Sequence, residues 1–263
     1  MIPIKDFNPT SRLAVLTLGL IALNLVVFLF QLTKPNPELF NTERQFAESQ
    51  QGFHCEYGAV PSHILDGPAS PAELAPKDDA EEICQEINQK HNRYLGLLTS
   101  LFLHGGWLHL LGNMLFLWVF GNNIEDALGF VRFIPFYLVC GVAAALAQAF
   151  SDPDSSIPLI GASGAISGVL GAYLVLHPRS LVLTLILPFF LIPMRAWVTL
   201  GLYFVLQFLY LGQEATSGGG GVAYWAHIGG FVAGVVLIKP LMIGRPPPLE
   251  GRPPVRAEPR WDS

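Results

Sequence analysis

Apolar residues in this chain gather into long runs rather than into the alternation of a half-buried strand. Six runs are long enough to read as membrane-spanning helices at 1.5 Å per residue. They fall at about Leu13–Leu32, Leu97–Phe120 (secure from Trp107), Phe130–Phe150, Leu159–Leu176, Ala196–Leu211 and Val222–Met242. A further apolar run, Leu181–Pro193, is short and holds two prolines. It reads either as an interfacial segment or as an extension of the fifth helix, and joined to that helix it exceeds an ordinary crossing. The pattern predicts an all-α membrane protein, a six-helix bundle over residues 13–242.

The polar intervals set the orientation. Lys5 and Arg12 precede the first run, Arg132 lies between the second and third, and Arg179 and Arg195 lie between the fourth and fifth. Lys239 and the arginines of the tail follow the sixth run. The short intervals Ser151–Pro158 and Gly212–Gly221 contain acids but neither Lys nor Arg. Positive charge in short flanks marks the cytoplasmic side, so both termini are expected there. The run that follows Met1–Arg12 lacks a small-residue cleavage site and reads as a retained span.

The interval 33–96 is then a long extracytoplasmic loop with 11 acids and 5 bases, in which Ala80–Gln89 reads as a short helix. Residues 243–263 form a tail rich in Pro and Arg, read as disordered.

Composition agrees with this picture. The 263 residues are 51% hydrophobic and 13% charged, about half the charge of a typical soluble domain. The net charge of −5 sums over two sides of a membrane and decides little. No basic stripe interleaved with aromatics is present, which argues against a nucleic-acid partner. Cys55 and Cys84 both fall in the outer loop, where a disulfide and two free thiols are both open readings. Cys140, in the third run, reads as a small packing residue. The three cysteines lack the paired short spacings of a zinc or redox site.

Few polar groups lie inside the runs. Ser163, in Gly161-Ala-Ser-Gly-Ala-Ile-Ser-Gly168, follows one short outer interval, and His227 follows the other. Both therefore lie at similar shallow depth below the outer surface, where a histidine can act as general base for a serine hydroxyl. Gly164, Gly168 and Gly171, with Gly230 and Gly234, are small residues at a spacing that lets helix backbones approach closely. Such residues serve packing too, and for Ser163 alone packing is the more economical reading. A histidine inside a membrane span is a functional candidate by itself.

His109 and Asn113 stand four residues apart on one helical face, so their donors can converge on one point and stabilise a developing oxyanion. The bland alternative is that they tie loops and helices together, and that reading carries most of the weight for His104. Metal binding by His104, His109, Asn113 and His227 is a weak rival: no acid stands near them in sequence and H-E-x-x-H is absent. No cofactor is expected. No carboxylate lies within the second, fourth or sixth run, so a catalytic unit here is a Ser–His dyad, not a triad.

At these positions the chain resembles the rhomboid family of intramembrane serine proteases. The resemblance rests on Gly161-Ala-Ser163-Gly164, on Ala226-His227-Ile-Gly-Gly230, and on His104-Gly-Gly-Trp-Leu-His109-Leu-Leu-Gly-Asn113. Gly121-Asn-Asn-Ile-Glu125-Asp-Ala-Leu-Gly129 resembles the family's turn after the second span, where Glu125 is expected to be structural. The resemblance implies a serine endopeptidase in a multi-pass protein of the bacterial inner or plasma membrane. It also implies single-pass transmembrane protein substrates cut in or near their spans, with Gly212–Gly221 as a cap over the cavity. Ser163 is the implied nucleophile, His227 the base, and His109 and Asn113 the oxyanion donors. Two positions depart from the pattern. Leu95-Gly96 stands where the family often has Trp-Arg, and Ser167 stands where many members stack an aromatic ring on the histidine. The competing readings are a silent relative that binds membrane proteins without cutting them, and a small transporter. The retained Ser and His argue against the first. The lack of a repeat and of charged midplane residues argues against the second.

Overall fold

In the computed structural model of the chain, residues 1–34, 43–65, 93–155, 157–186, 190–217 and 223–247 are described. A strand, β1 (Ile2–Asp6), leads to helix α1 (Val15–Thr33). Helices α2 (Glu43–Tyr57) and α3 (Pro61–Leu65) follow, then α4 (Arg93–Thr99), which runs into a 3₁₀ turn. Helix α5 (Trp107–Phe116) continues through a π-helical turn, Leu117–Gly121, into α6 (Asn122–Leu128). The remainder is α7 (Phe130–Ser151), α8 (Ser163–Leu176), strands β2 (Leu181–Ile186) and β3 (Phe190–Arg195), α9 (Ala196–Ser217) and α10 (Tyr224–Leu241).

The fold is mostly helical. Among the described residues, α1, α7 and α10 are long and apolar enough to cross a membrane. The segments Tyr94–Phe102 and Trp107–Leu128 pass the same test only together, bent by 87° at Leu103–Gly106. The second apolar run is thus helical from Trp107 onward, and its first part turns aside. Helix α8 starts later than its apolar run because Leu159 is taken up in a bridge to Ala59 and the Gly161 N–H donates to the Ser100 carbonyl (2.8 Å).

Helices alone do not describe the chain. Leu181–Pro193 does not lengthen α9. Its described residues form the antiparallel pair β2–β3, and β1 adds to β2, giving a sheet in the order β1-β2-β3. The run Leu181-Val-Leu-Thr-Leu-Ile is too short for a spanning helix, and a strand satisfies its backbone through β1 and β3. Helix α9 also runs on to Ser217, so the first half of Gly212–Gly221 is helix rather than loop. The stretch Ala80–Gln89, the four glycines Gly218–Gly221 and residues 248–263 lie outside the described residues. Cys55 is disulfide-bonded, Cys140 is free and buried, and Cys84 lies outside the described residues.

Glu125 is buried and caps α1 from another helix. Its carboxylate accepts from the backbone N–H of Leu16 (2.9 Å) and Thr17 (2.7 Å) and from the Thr17 hydroxyl (2.7 Å). These are orphan donors of the helix start, and a negative charge there also suits the helix dipole. Next to it, Arg245 donates to the carbonyls of Ala127 and Asp126, which ties the start of the tail to α6. Arg132 donates to the carbonyls of Leu241 and Ile243 at the end of α10.

A second buried cluster joins β1 to α6 and α8. Asn123 Nδ2 donates to Asp6 Oδ2 (2.6 Å) and the Tyr173 hydroxyl donates to the same oxygen (3.0 Å). Asn8 Nδ2 donates to Asn123 Oδ1 (2.7 Å) and lies 3.0 Å from His177 Nδ1. Burial pushes the Asp6 carboxyl up from 3.8 to about 6, and burial pushes His177 down from 6.5 to about 4.

The core that carries the site is the trio α7, α8 and α10. Ten consecutive residues of α8, Gly164–Tyr173, are buried, so the helix is enclosed on every side. Glycines make that enclosure feasible. A β-carbon on Gly230 would land on the Gly164 carbonyl, one on Gly234 on the Gly168 carbonyl, and one on Gly171 on the Phe231 carbonyl.

Candidate active site

Ser163 is the first residue of α8, and His227 lies in the first turn of α10. The glycine contacts fix these two helices at backbone distance, and the consequence is a short reach between the side chains. His227 Nε2 lies 2.9 Å from Ser163 Oγ, within hydrogen-bonding distance, and both residues are half-buried. The start of α10 is itself held by α7, since the Ala226 N–H donates to Gln148 Oε1 (3.3 Å).

His109 and Asn113 come from α5 and meet at Gly161, two residues before the serine. A β-carbon on Gly161 would sit 2.7 Å from His109 Nε2 and 3.6 Å from Asn113 Nδ2. Gly161 also has φ +115°, a conformation that L side chains rarely adopt. Space and backbone geometry therefore both demand glycine here, and its bare backbone lets two donors approach the serine's loop. Asn113 Nδ2 is buried and has no hydrogen-bond partner among the described residues. A buried N–H without an acceptor is costly, and a developing oxyanion would supply one. As the first residue of α8, Ser163 also presents a backbone N–H from a helical turn that has no intrahelical acceptor.

The four sequence-predicted residues Ser163, His227, His109 and Asn113 thus stand around one loop. His104, from the same motif, is fully buried with its ring edge-on to His109, at 5.1 Å between centroids and 68° between planes. Among the described residues no group of three or more His, Cys, Asp or Glu is placed to hold a metal ion.

Both departures from the family pattern have a structural counterpart. A side chain at Gly96 has no room, because its β-carbon would sit 2.5 Å from the Gly58 carbonyl at the end of α2. The Thr99 hydroxyl donates to the neighbouring Tyr57 carbonyl, so α4 is held to α2 by backbone contact. Ser167 does not turn to His227. Its hydroxyl lies 3.4 Å from the Tyr203 hydroxyl on α9. The ring beside His227 is Tyr224, perpendicular to it with centroids 6.4 Å apart. Sequence reasoning missed Tyr203 and Tyr224. The spacing of Tyr224, three residues before the histidine on one helix, was the available signal for the second.

The fold and site define a helical membrane protein whose buried glycine seam sets a serine against a histidine. Residues 91–243 match the family model described as the Rhomboid domain, and the chain belongs to the rhomboid family. It is 31% identical over 146 residues to Rhomboid protein 1, mitochondrial, of Saccharomyces cerevisiae, which covers 54% of this chain and 40% of that one. It is 44% identical over 78 residues to Rhomboid protease GluP of Bacillus subtilis, covering 30% and 15% respectively. It is 38% identical over 78 residues to RHOMBOID-like protein 5 of Arabidopsis thaliana, covering 30% and 25%. The matched regions are thus less than half the length of these relatives.

Proposed function

We propose that this chain is an intramembrane serine endopeptidase that cleaves single-pass transmembrane proteins in or near their spans. The observation that carries the reading is the 2.9 Å approach of His227 Nε2 to Ser163 Oγ. Protease names among the relatives support it. In this mechanism His227 takes the proton from Ser163 as Oγ attacks the scissile carbonyl. The oxyanion is held by the Ser163 backbone N–H, by Asn113 Nδ2 and by His109. His227 then protonates the leaving amine, and water completes hydrolysis of the acyl-enzyme by the reverse proton path. The substrate helix must unwind locally, because a helix engages its own carbonyls.

The membrane setting is six spans with both termini cytoplasmic. The clustering of Asp6, Asn123, His177, Arg132 and Arg245 with the ends of α8 and α10 supports this, because it gathers the Lys- and Arg-bearing flanks at one end, opposite Ser163. The bacterial plasma membrane is the proposed location, and the yeast relative is mitochondrial by name.

Purified Ser163→Ala and His227→Ala, assayed on a reporter transmembrane substrate, test the reading. Each is expected to lose about 10⁴-fold or more in kcat. Near-normal cleavage by either variant would sink the dyad.

A further inference from the structure

Gln31, in the last turn of α1, is buried and lies outside the residues matched by the family model. Its side chain treats His104 as a neighbouring strand would. The His104 N–H donates to Gln31 Oε1 (3.2 Å), and Gln31 Nε2 donates to the His104 carbonyl (2.7 Å). These two contacts fix which end of the amide is nitrogen, since a flipped amide would set donor against donor and acceptor against acceptor.

The second N–H of that amide reaches α2. His54 Nε2 lies 2.8 Å from Gln31 Nε2, and Gln50 Oε1 lies 3.3 Å away. Because Gln31 must donate here, His54 Nε2 must accept, so its ring proton sits on Nδ1. His54 is itself buried. Gln50 Nε2 returns a bond to the Gln31 carbonyl (3.2 Å).

The other side of the link leads to the oxyanion residues. The buried His104 ring packs edge-on against His109, and the Gly105 N–H faces His109 Nδ1 at 3.4 Å. A continuous set of contacts therefore runs from α2, through Gln31, to the backbone of His104 and on to His109.

We propose that Gln31 and His54 are positioning residues that clamp the Leu103–His109 segment to α2, so that this outer helix sets how well His109 is aimed at the oxyanion. The proposal rests on the reading of His109 as an oxyanion donor. The full chain in detergent tests it with Gln31→Met, His54→Leu and His54→Gln. Methionine keeps the length of Gln31 without its hydrogen bonds, and glutamine restores an acceptor near the position of His54 Nε2.

Two measurements are needed. Hydrogen exchange of peptides covering residues 103–110 is expected to speed up in Gln31→Met and His54→Leu and to stay at the wild-type rate in His54→Gln. Fluorophosphonate labelling of Ser163 is expected to slow by about ten- to a hundredfold in the first two variants, with recovery in His54→Gln. KM for the reporter is expected to hold while kcat falls. Unchanged exchange overturns the clamp. Faster exchange with unchanged labelling overturns the positioning role. Loss in His54→Gln equal to that in His54→Leu also overturns the proposal, because the acceptor then has no part in it. If Gln31→Met fails to fold, the two His54 variants decide by the same readouts. A wild-type chain that neither labels nor cleaves contradicts the proposed function instead, and the exchange comparison, which needs no activity, still decides the clamp.

Discussion

Ser163–Leu176 is a short apolar helix, and Ala196–Leu206 is the apolar first half of the longer helix α9, so hydropathy alone would treat the two stretches alike. Their surroundings are opposite. The first, α8, is buried over ten consecutive residues, whereas along α9 Trp197, Leu202, Val205 and Leu209 are exposed. The glycines account for the difference. A β-carbon on Gly168 would collide with Cys140 and lie 3.2 Å from the Gly230 carbonyl, but one on Gly201 of α9 would meet nothing within 4 Å among the described residues. Helices without a hydrophobic drive to associate in lipid depend on such close backbone approach. The helix that carries Ser163 is therefore fixed by absent side chains, and α9 stands beside it with apolar residues outward and hydroxyl contacts inward, Tyr203 to Ser167 and Thr199 to Thr184.

Filling the α8–α10 seam is the strongest way to break this contrast. Gly234→Val would place side chain on the Gly168 backbone. It is expected to destabilise the protein by about 3 kcal/mol or more, at or beyond the upper end of ordinary overpacking, and to abolish labelling of Ser163. A melting temperature near the wild-type value would show that the seam is not tight. Next in size is Asn113→Ala, expected to lower kcat by about 10²-fold, the usual effect of one lost oxyanion donor. Its melting temperature should not fall, because Asn113 Nδ2 has no partner to lose among the described residues.

The foot of α8 gives a smaller, pH-dependent effect. Between pH 3.8 and about 6 the native state holds a proton on Asp6 that the unfolded chain has lost, so this group makes stability fall as pH rises. Between about 4 and 6.5 the unfolded chain protonates His177 and the native state does not, so this group makes stability rise with pH. The two oppose each other. Asp6→Asn leaves only the second, and its melting temperature is expected to climb from pH 4.5 to 6.5 more steeply than that of the wild type. A parallel pair of curves would contradict the burial of Asp6. The smallest effect is expected from Gly201→Ala, which should be neutral or stabilise by up to about 1 kcal/mol, since alanine is the better helix former and has room. A marked loss there would show that α9 is packed as closely as α8.

The comparison also explains what was legible in the sequence. Apolar runs announce helices, and a serine, a histidine and glycines at fixed spacing announce a seam with chemistry, so Ser163, His227, His109 and Asn113 could be picked out before any coordinates. The sheet could not, because Leu181–Pro193 is as apolar as a helix fragment and its partner, Ile2–Asp6, lies at the far end of the chain. Gln31 and His54 escaped for a related reason. Gln31 sits at the end of an apolar run and His54 in the long loop after it, and only the folded chain brings them to His104. The shift in the start of α8 escaped because Leu159 is apolar but serves a bridge to Ala59.

The same sheet dictates an order of events during synthesis. Asp6 pairs with Val182, 176 positions later in the chain. At about 5–20 residues per second, the first strand waits roughly ten to thirty-five seconds for its partner to be made. Through that interval α1 can already lie in the membrane while Asp6 stays in water, without Tyr173 or the hairpin. Closing the sheet is therefore a late step, one that can report that the helix bearing Ser163 is complete.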